Sequence, residues 1–75
     1  MKRADLPTAD VLRHVAEYPA GVAYDRLCER YPAKIVLAAI DRDTRAGLIN
    51  WGVSPAYPWL EQAGAERLAA IKAGG

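Results

Sequence analysis

The sequence predicts an α+β domain, mostly α, with a three-helix core, a two- or three-stranded β-hairpin and a C-terminal helix. Three observations in the segment Ile35 to Leu60, IVLAAIDRDTRAGLINWGVSPAYPWL, carry that prediction. Ile35, Val36, Ala39 and Ile40 recur at helical spacing. Gly47 then closes the helix. Two short apolar runs, LINWG and YPWL, flank a loop holding Gly52, Ser54 and Pro55, which is a hairpin pattern.

The elements follow in order. Met1 to Leu6 (MKRADL) form a basic arm. Thr8 precedes a periodic run and is placed as the N-cap of a first helix over Ala9 to Tyr18, with Val11, Leu12, Val15 and Tyr18 on one face. Pro19-Ala20-Gly21 stops it, and Gly21-Val22-Ala23 forms an extended link where a one- or two-residue strand fits. A second helix spans Tyr24 to Tyr31, with Leu27, Cys28 and Tyr31 inward. Pro32 forces a turn, because the residue before a proline is pushed out of the helical region. The third helix runs from Ala33 or Lys34 to Ala46. Leu48–Gly52 and Tyr57–Leu60 are the hairpin strands, with Pro58 on an open edge because it cannot donate to a ladder. The last helix starts near Gln62 or Ala63, turns Leu68 and Ile71 inward with Ala65 and Ala69 in support, and ends in a fraying tail over 73–75. The division is therefore an arm over 1–7, one domain over 8–72 and a short tail.

Size and composition exclude several classes. With 75 residues the chain holds one small core and no large catalytic cleft, and Met1 with its polar ends reads as a complete small protein. A fold of this size buries only about 60% of its unfolded surface, so self-association is a natural source of stability and a homodimer is expected. Net charge is +1, from 10 basic and 9 acidic residues, so any nucleic-acid contact has to come from a local patch. Cys28 is the single cysteine, which removes an internal disulfide and any multi-cysteine metal site. No apolar run approaches the length of a membrane span or a secretory signal, which makes a cytoplasmic location the default and gives no sign of a membrane partner. No cofactor is expected.

Two helices joined by a tight turn, the second followed by a hairpin, is the winged helix-turn-helix order. The stretch AAIDRDTRAGLI, ending at Ile49, resembles the "a-L-x-x-L-x-x-x-G-L-I" signature that ends the recognition helix of winged-helix regulators. Tyr57 to Leu68, YPWLEQAGAERL, is similar to the "y-x-L-T-x-x-G-x-x-x-L" closing motif of that superfamily. The likeness covers Thr8 to Ile71 and is a pattern of hydrophobic spacing, with two departures. Asp43 stands where the family has an apolar residue, and Glu61 stands where it has a Thr or Ser cap. The resemblance implies a bacterial or phage transcriptional regulator that lays its third helix in the major groove of double-stranded DNA.

On that helix the outward face is Lys34, Leu37, Ala38, Asp41 and Arg45, with Arg42 at its edge. Lys34 can meet a phosphate or a guanine edge, and Arg42 or Arg45 a base or the backbone, since arginine matches guanine through two hydrogen bonds. Arg3, Arg26 and Arg30 add phosphate contacts from the arm and the second helix. The plainer reading pairs Arg42 and Arg45 with Asp41 and Asp43 on a solvated helix surface. Against DNA stand Leu37 and Ala38, which also describe an apolar protein-binding patch, and a loop GVSPAYP with no Lys or Arg. The second functional reading is therefore an adaptor, or a phage-type inhibitor of a host complex, that binds a protein through Leu37, Trp51, Tyr57 and Trp59. His14 has no metal-ligand partner at suitable spacing, Cys28 reads as a small core residue, and Asp41 and Asp43 diverge on the helix. No nucleophile–base constellation appears, so an enzyme is not expected.

Overall fold

The computed structural model describes residues 2–74. Their order is a 3-10 turn (Arg3–Asp5), α1 (Thr8–Glu17), α2 (Val22–Cys28), α3 (Ala33–Arg45), β1 (Ile49–Asn50), β2 (Trp59–Leu60) and α4 (Gln62–Gly74). The class is α+β, mostly α, with one two-stranded antiparallel sheet in which Ile49 pairs with Leu60 and Asn50 with Trp59. The extents are 29 × 26 × 21 Å. Among the described residues no helix is long and apolar enough to cross a membrane.

α1 sits at the centre, in contact with α2, α3, α4 and β2. It buries Val11 and Leu12, and it ends where Tyr18 turns extended ahead of Pro19. α2 begins two residues earlier than the sequence pattern placed it. Gly21 takes φ +89 as its leading residue, so Gly21-Val22-Ala23 is a helix start and contributes no strand. Ala23 and Leu27 are its buried residues, while Cys28 and Tyr31 pack half-buried against the core. α3 buries Val36, Ala39, Ile40 and also Asp43.

The end of α3 is a Schellman motif. Gly47 N–H donates to the Thr44 carbonyl at 3.0 Å and Leu48 N–H to the Asp43 carbonyl at 3.0 Å. Gly47 holds φ +79, the left-handed region that glycine enters without a Cβ penalty. The chain thereby reverses and sends Leu48 and Ile49 into the core.

Three placements differ from the sequence expectation. Leu6 is fully buried, so 1–7 is no free arm over its described residues: the 3-10 turn packs on α3 and plugs one end of the core. Pro58 is buried and lies just before β2, where it needs no ladder partner. In α4 the inward residues are Gly64, Leu68 and Ile71, so Ala65 and Ala69 are exposed, one position off that face. Gly64 is there because α4 passes directly over Leu48, the residue before β1: a Cβ at this position would overlap the Leu48 carbonyl oxygen. The helix runs through Ala73 and Gly74; Gly75, the end of the expected tail, is outside the described residues.

Candidate nucleic-acid interface

α3 is held by its inner face, which leaves Lys34, Leu37, Asp41 and Arg45 exposed and Ala38 half-buried along the outer one. Leu37 keeps 39% of its surface in water, unusual for a leucine beside a core that takes both Val36 and Ile40. The helix starts directly after Pro32, and no side chain caps it. Its first backbone N–H groups therefore face outward beside Lys34.

The cations of this region separate into three kinds. Arg42 is spent on the fold. Its Nε and Nη2 donate to Asp43 Oδ1 and Oδ2 at 3.0 and 2.9 Å, and its Nη1 donates to the Arg3 carbonyl at 3.3 Å. Asp43, only 1% exposed, also accepts the Thr8 hydroxyl at 2.8 Å. Neighbours in sequence diverge on a helix, so Arg42 reaches Asp43 only by folding its long stem back across the surface. This corrects three expectations: Arg42 is not available as a base reader, Asp43 is not a solvated surface residue, and Thr8 caps nothing. Pro7 occupies the N-cap position, and the Thr8 hydroxyl closes a bond to a residue 35 positions away.

Arg45 and Arg26 are lightly paired. Arg45 Nε lies 3.1 Å from Asp41 Oδ2 with 81% of the arginine side chain exposed, and Arg26 lies 3.7 Å from Glu29 with its guanidinium 5.7 Å above the Tyr18 ring. Exposed pairs of this kind are worth about 0–1 kcal/mol and break readily. Arg30 and Lys34 are exposed and have no carboxylate partner among the described residues. They stand on either side of the turn that leads into α3. Arg3 is exposed too, but on the 3-10 turn that touches Arg42, toward the other end of the helix.

The hairpin presents a different surface. Tyr57 and Trp59 are 52% and 48% exposed, and no Lys or Arg lies between Gly52 and Pro58. The Trp59 ring covers Gly52 and the Tyr57 ring covers Gly21. Ser54 organises the loop by accepting Tyr57 N–H on its carbonyl at 3.0 Å and Ala56 N–H on its hydroxyl at 3.2 Å. Trp51 is half-buried against the core and does not join the two exposed rings, which removes it from the aromatic set expected for a protein partner.

The remaining chemistry-bearing side chains are accounted for locally. The His14 Nδ1 lies 2.7 Å from the Asp10 carbonyl, and its ring leans on Tyr18 at 5.7 Å. The Tyr24 phenol is held above its ordinary value, first by hydrogen bonding to Cys28 one turn on and then by burial.

Comparison with known proteins yields no match: no family model, no curated protein and no solved structure aligns with the chain. Residue roles therefore rest on geometry and chemistry alone.

Proposed function

We propose that this chain is a small winged helix-turn-helix DNA-binding protein, a transcriptional regulator that sets α3 in the major groove. The observation that carries this reading is a pair of exposed cations at the N-terminal end of α3, Arg30 and Lys34, neither matched to a carboxylate among the described residues. In helix-turn-helix proteins that end of the second helix meets the base edges. Uncapped N–H groups beside Lys34 favour a phosphate at the same place. The order α2, short turn, α3, hairpin supports the winged-helix assignment. Arg45 and Arg26 supply further phosphate contacts once their exposed pairs open, and Arg3 contributes from the 3-10 turn. Arg42 acts indirectly, by fixing α3 to the N-terminal segment. The protein works as a homodimer on two half-sites and regulates by occluding a promoter or recruiting to it.

The test is fluorescence anisotropy against a labelled mixed-sequence duplex, from low to physiological salt. Binding that weakens steeply as salt rises is expected, since phosphate neutralisation releases counterions. No binding at low salt would overturn the reading, because the sequence-independent electrostatic contribution appears there first.

One observation favours a second reading. Tyr57 and Trp59 are exposed on a hairpin without a single cation, and half-exposed aromatics are the usual anchors of a protein interface. In that case the domain is an adaptor: Arg30→Ala and Lys34→Ala leave partner binding intact, and Tyr57→Ala with Trp59→Ala abolishes it.

A further inference from the structure

We infer, resting on the DNA-binding reading above, that α3 chooses its site through thymine methyl groups, which Leu37 and Ala38 recognise. The outer face of α3 has little else to offer base edges. Asparagine and glutamine, the side chains that match adenine through two hydrogen bonds, do not occur between Ala33 and Arg45. The Thr44 hydroxyl is used internally, donating to the Ile40 carbonyl at 2.7 Å. Arg42, the arginine nearest the centre of the helix, is locked on Asp43. Arg45 lies at the far end of the helix, paired with Asp41, which leaves it for phosphates rather than for the central base edges.

The centre of the face, between Lys34 and Asp41, is apolar. Leu37 is more than a third exposed and Ala38 is half-buried next to it. The thymine C5-methyl is the apolar group that the major groove presents on its base edges. Lys34, one turn before Leu37, provides charge without geometry: its ammonium is a mobile point donor that tolerates many base sequences. Electrostatics therefore bring the helix to DNA, and the apolar pair distinguishes one site from another.

The experiment compares one duplex in two forms. A duplex enriched on the protein from a randomised library is synthesised with thymidine and again with deoxyuridine at every such position. The exchange removes methyl groups and leaves every hydrogen-bonding edge in place. The wild-type protein is expected to bind the uridine form about fourfold more weakly per contacted methyl, the equivalent of one buried methylene. Leu37→Ala is expected to bind the thymidine form more weakly than wild type and to lose most of its preference between the two. Lys34→Ala is expected to weaken both forms by the same factor. Salt-dependent binding with equal affinity for both forms would overturn methyl readout while leaving DNA binding intact. Failure of the wild type to bind or enrich any duplex at low salt would overturn both. Leu37 is on the surface, so circular dichroism of Leu37→Ala should match wild type and separate impaired readout from impaired folding.

Discussion

At the scale of single residues, the group around Asp43 governs how any mutational test of this protein must be read. A carboxylate that is 1% exposed persists because three donor groups, two from Arg42 and one from Thr8, replace the water it has lost. Removing Arg42 leaves that charge buried with only a hydroxyl for company. Arg42→Ala is therefore expected to lower stability by about 3 kcal/mol, the cost of orphaning one member of a buried pair, measured by urea denaturation. Thr8→Val removes one hydrogen bond to a charged group and should cost about 1.5–2 kcal/mol. A chain of this length has a total stability on the order of 5 kcal/mol, so Arg42→Ala stands near the edge of folding. Weakened DNA binding in that variant would reflect damaged structure; an unchanged denaturation midpoint would show that Arg42 is free after all. The pattern of α3 left Asp43 among solvated surface pairs, although the winged-helix resemblance set it where an apolar residue is usual. It held no sign that the partner is Thr8, because helical periodicity says nothing about pairings 35 residues apart.

At the scale of elements, the connections explain more than the helices do. Gly64 and Gly47 are both required, for different reasons and with different expected costs. Gly47→Ala meets no neighbour within 4 Å and only strains a backbone at φ +79, so a loss of about 1–2 kcal/mol is expected. Gly64→Ala gains up to about 1 kcal/mol of helix propensity, yet its methyl would collide with the Leu48 carbonyl oxygen. A backbone oxygen cannot swing aside as a side chain can, so packing wins. The variant should lose more than the propensity it gains, or separate α4 from the hairpin, as judged from its melting temperature. A stabilised Gly64→Ala would contradict the close seating of α4 on Leu48. The N-terminal turn gives a similar contrast. Leu6→Ala should cost about 2–4 kcal/mol as a core truncation, whereas in a free arm it would cost nothing. The sequence made α1, α3, the Gly47 stop and the presence of the hairpin legible, since each depends on local periodicity or turn chemistry. Leu6 was hidden by its charged neighbours Lys2, Arg3 and Asp5, and the start of α2 by Gly21, whose positive φ launches a helix as readily as it ends one.

At the scale of the whole molecule, near-zero net charge conceals an uneven distribution. Two cations without carboxylate partners among the described residues, Arg30 and Lys34, flank the start of α3, and others lie on the N-terminal segment and α4. The two arginines in the far half of α3 are paired, and the hairpin loop carries aromatics and no cation. The candidate interface was legible in residue type, since exposed Lys34 and Leu37 lie on the face that helical spacing assigns to them. It was not legible in charge availability, which depends on which carboxylates fold back onto which arginines. The layout predicts that Tyr57→Ala with Trp59→Ala leaves duplex affinity within about twofold of wild type, since neutral side chains add nothing to counterion release; a large drop by anisotropy would place the hairpin on DNA. The most direct test of the DNA-binding assignment is the salt dependence of duplex binding for wild type and for Arg30→Ala combined with Lys34→Ala. Removing one phosphate-neutralising side chain should reduce the slope of log affinity against log salt by about 0.9. The double variant should therefore bind more weakly, with a slope lower by about 2 and an unchanged melting temperature. A double variant with wild-type affinity and slope would contradict the assignment of the N-terminal end of α3 as the DNA-contacting surface.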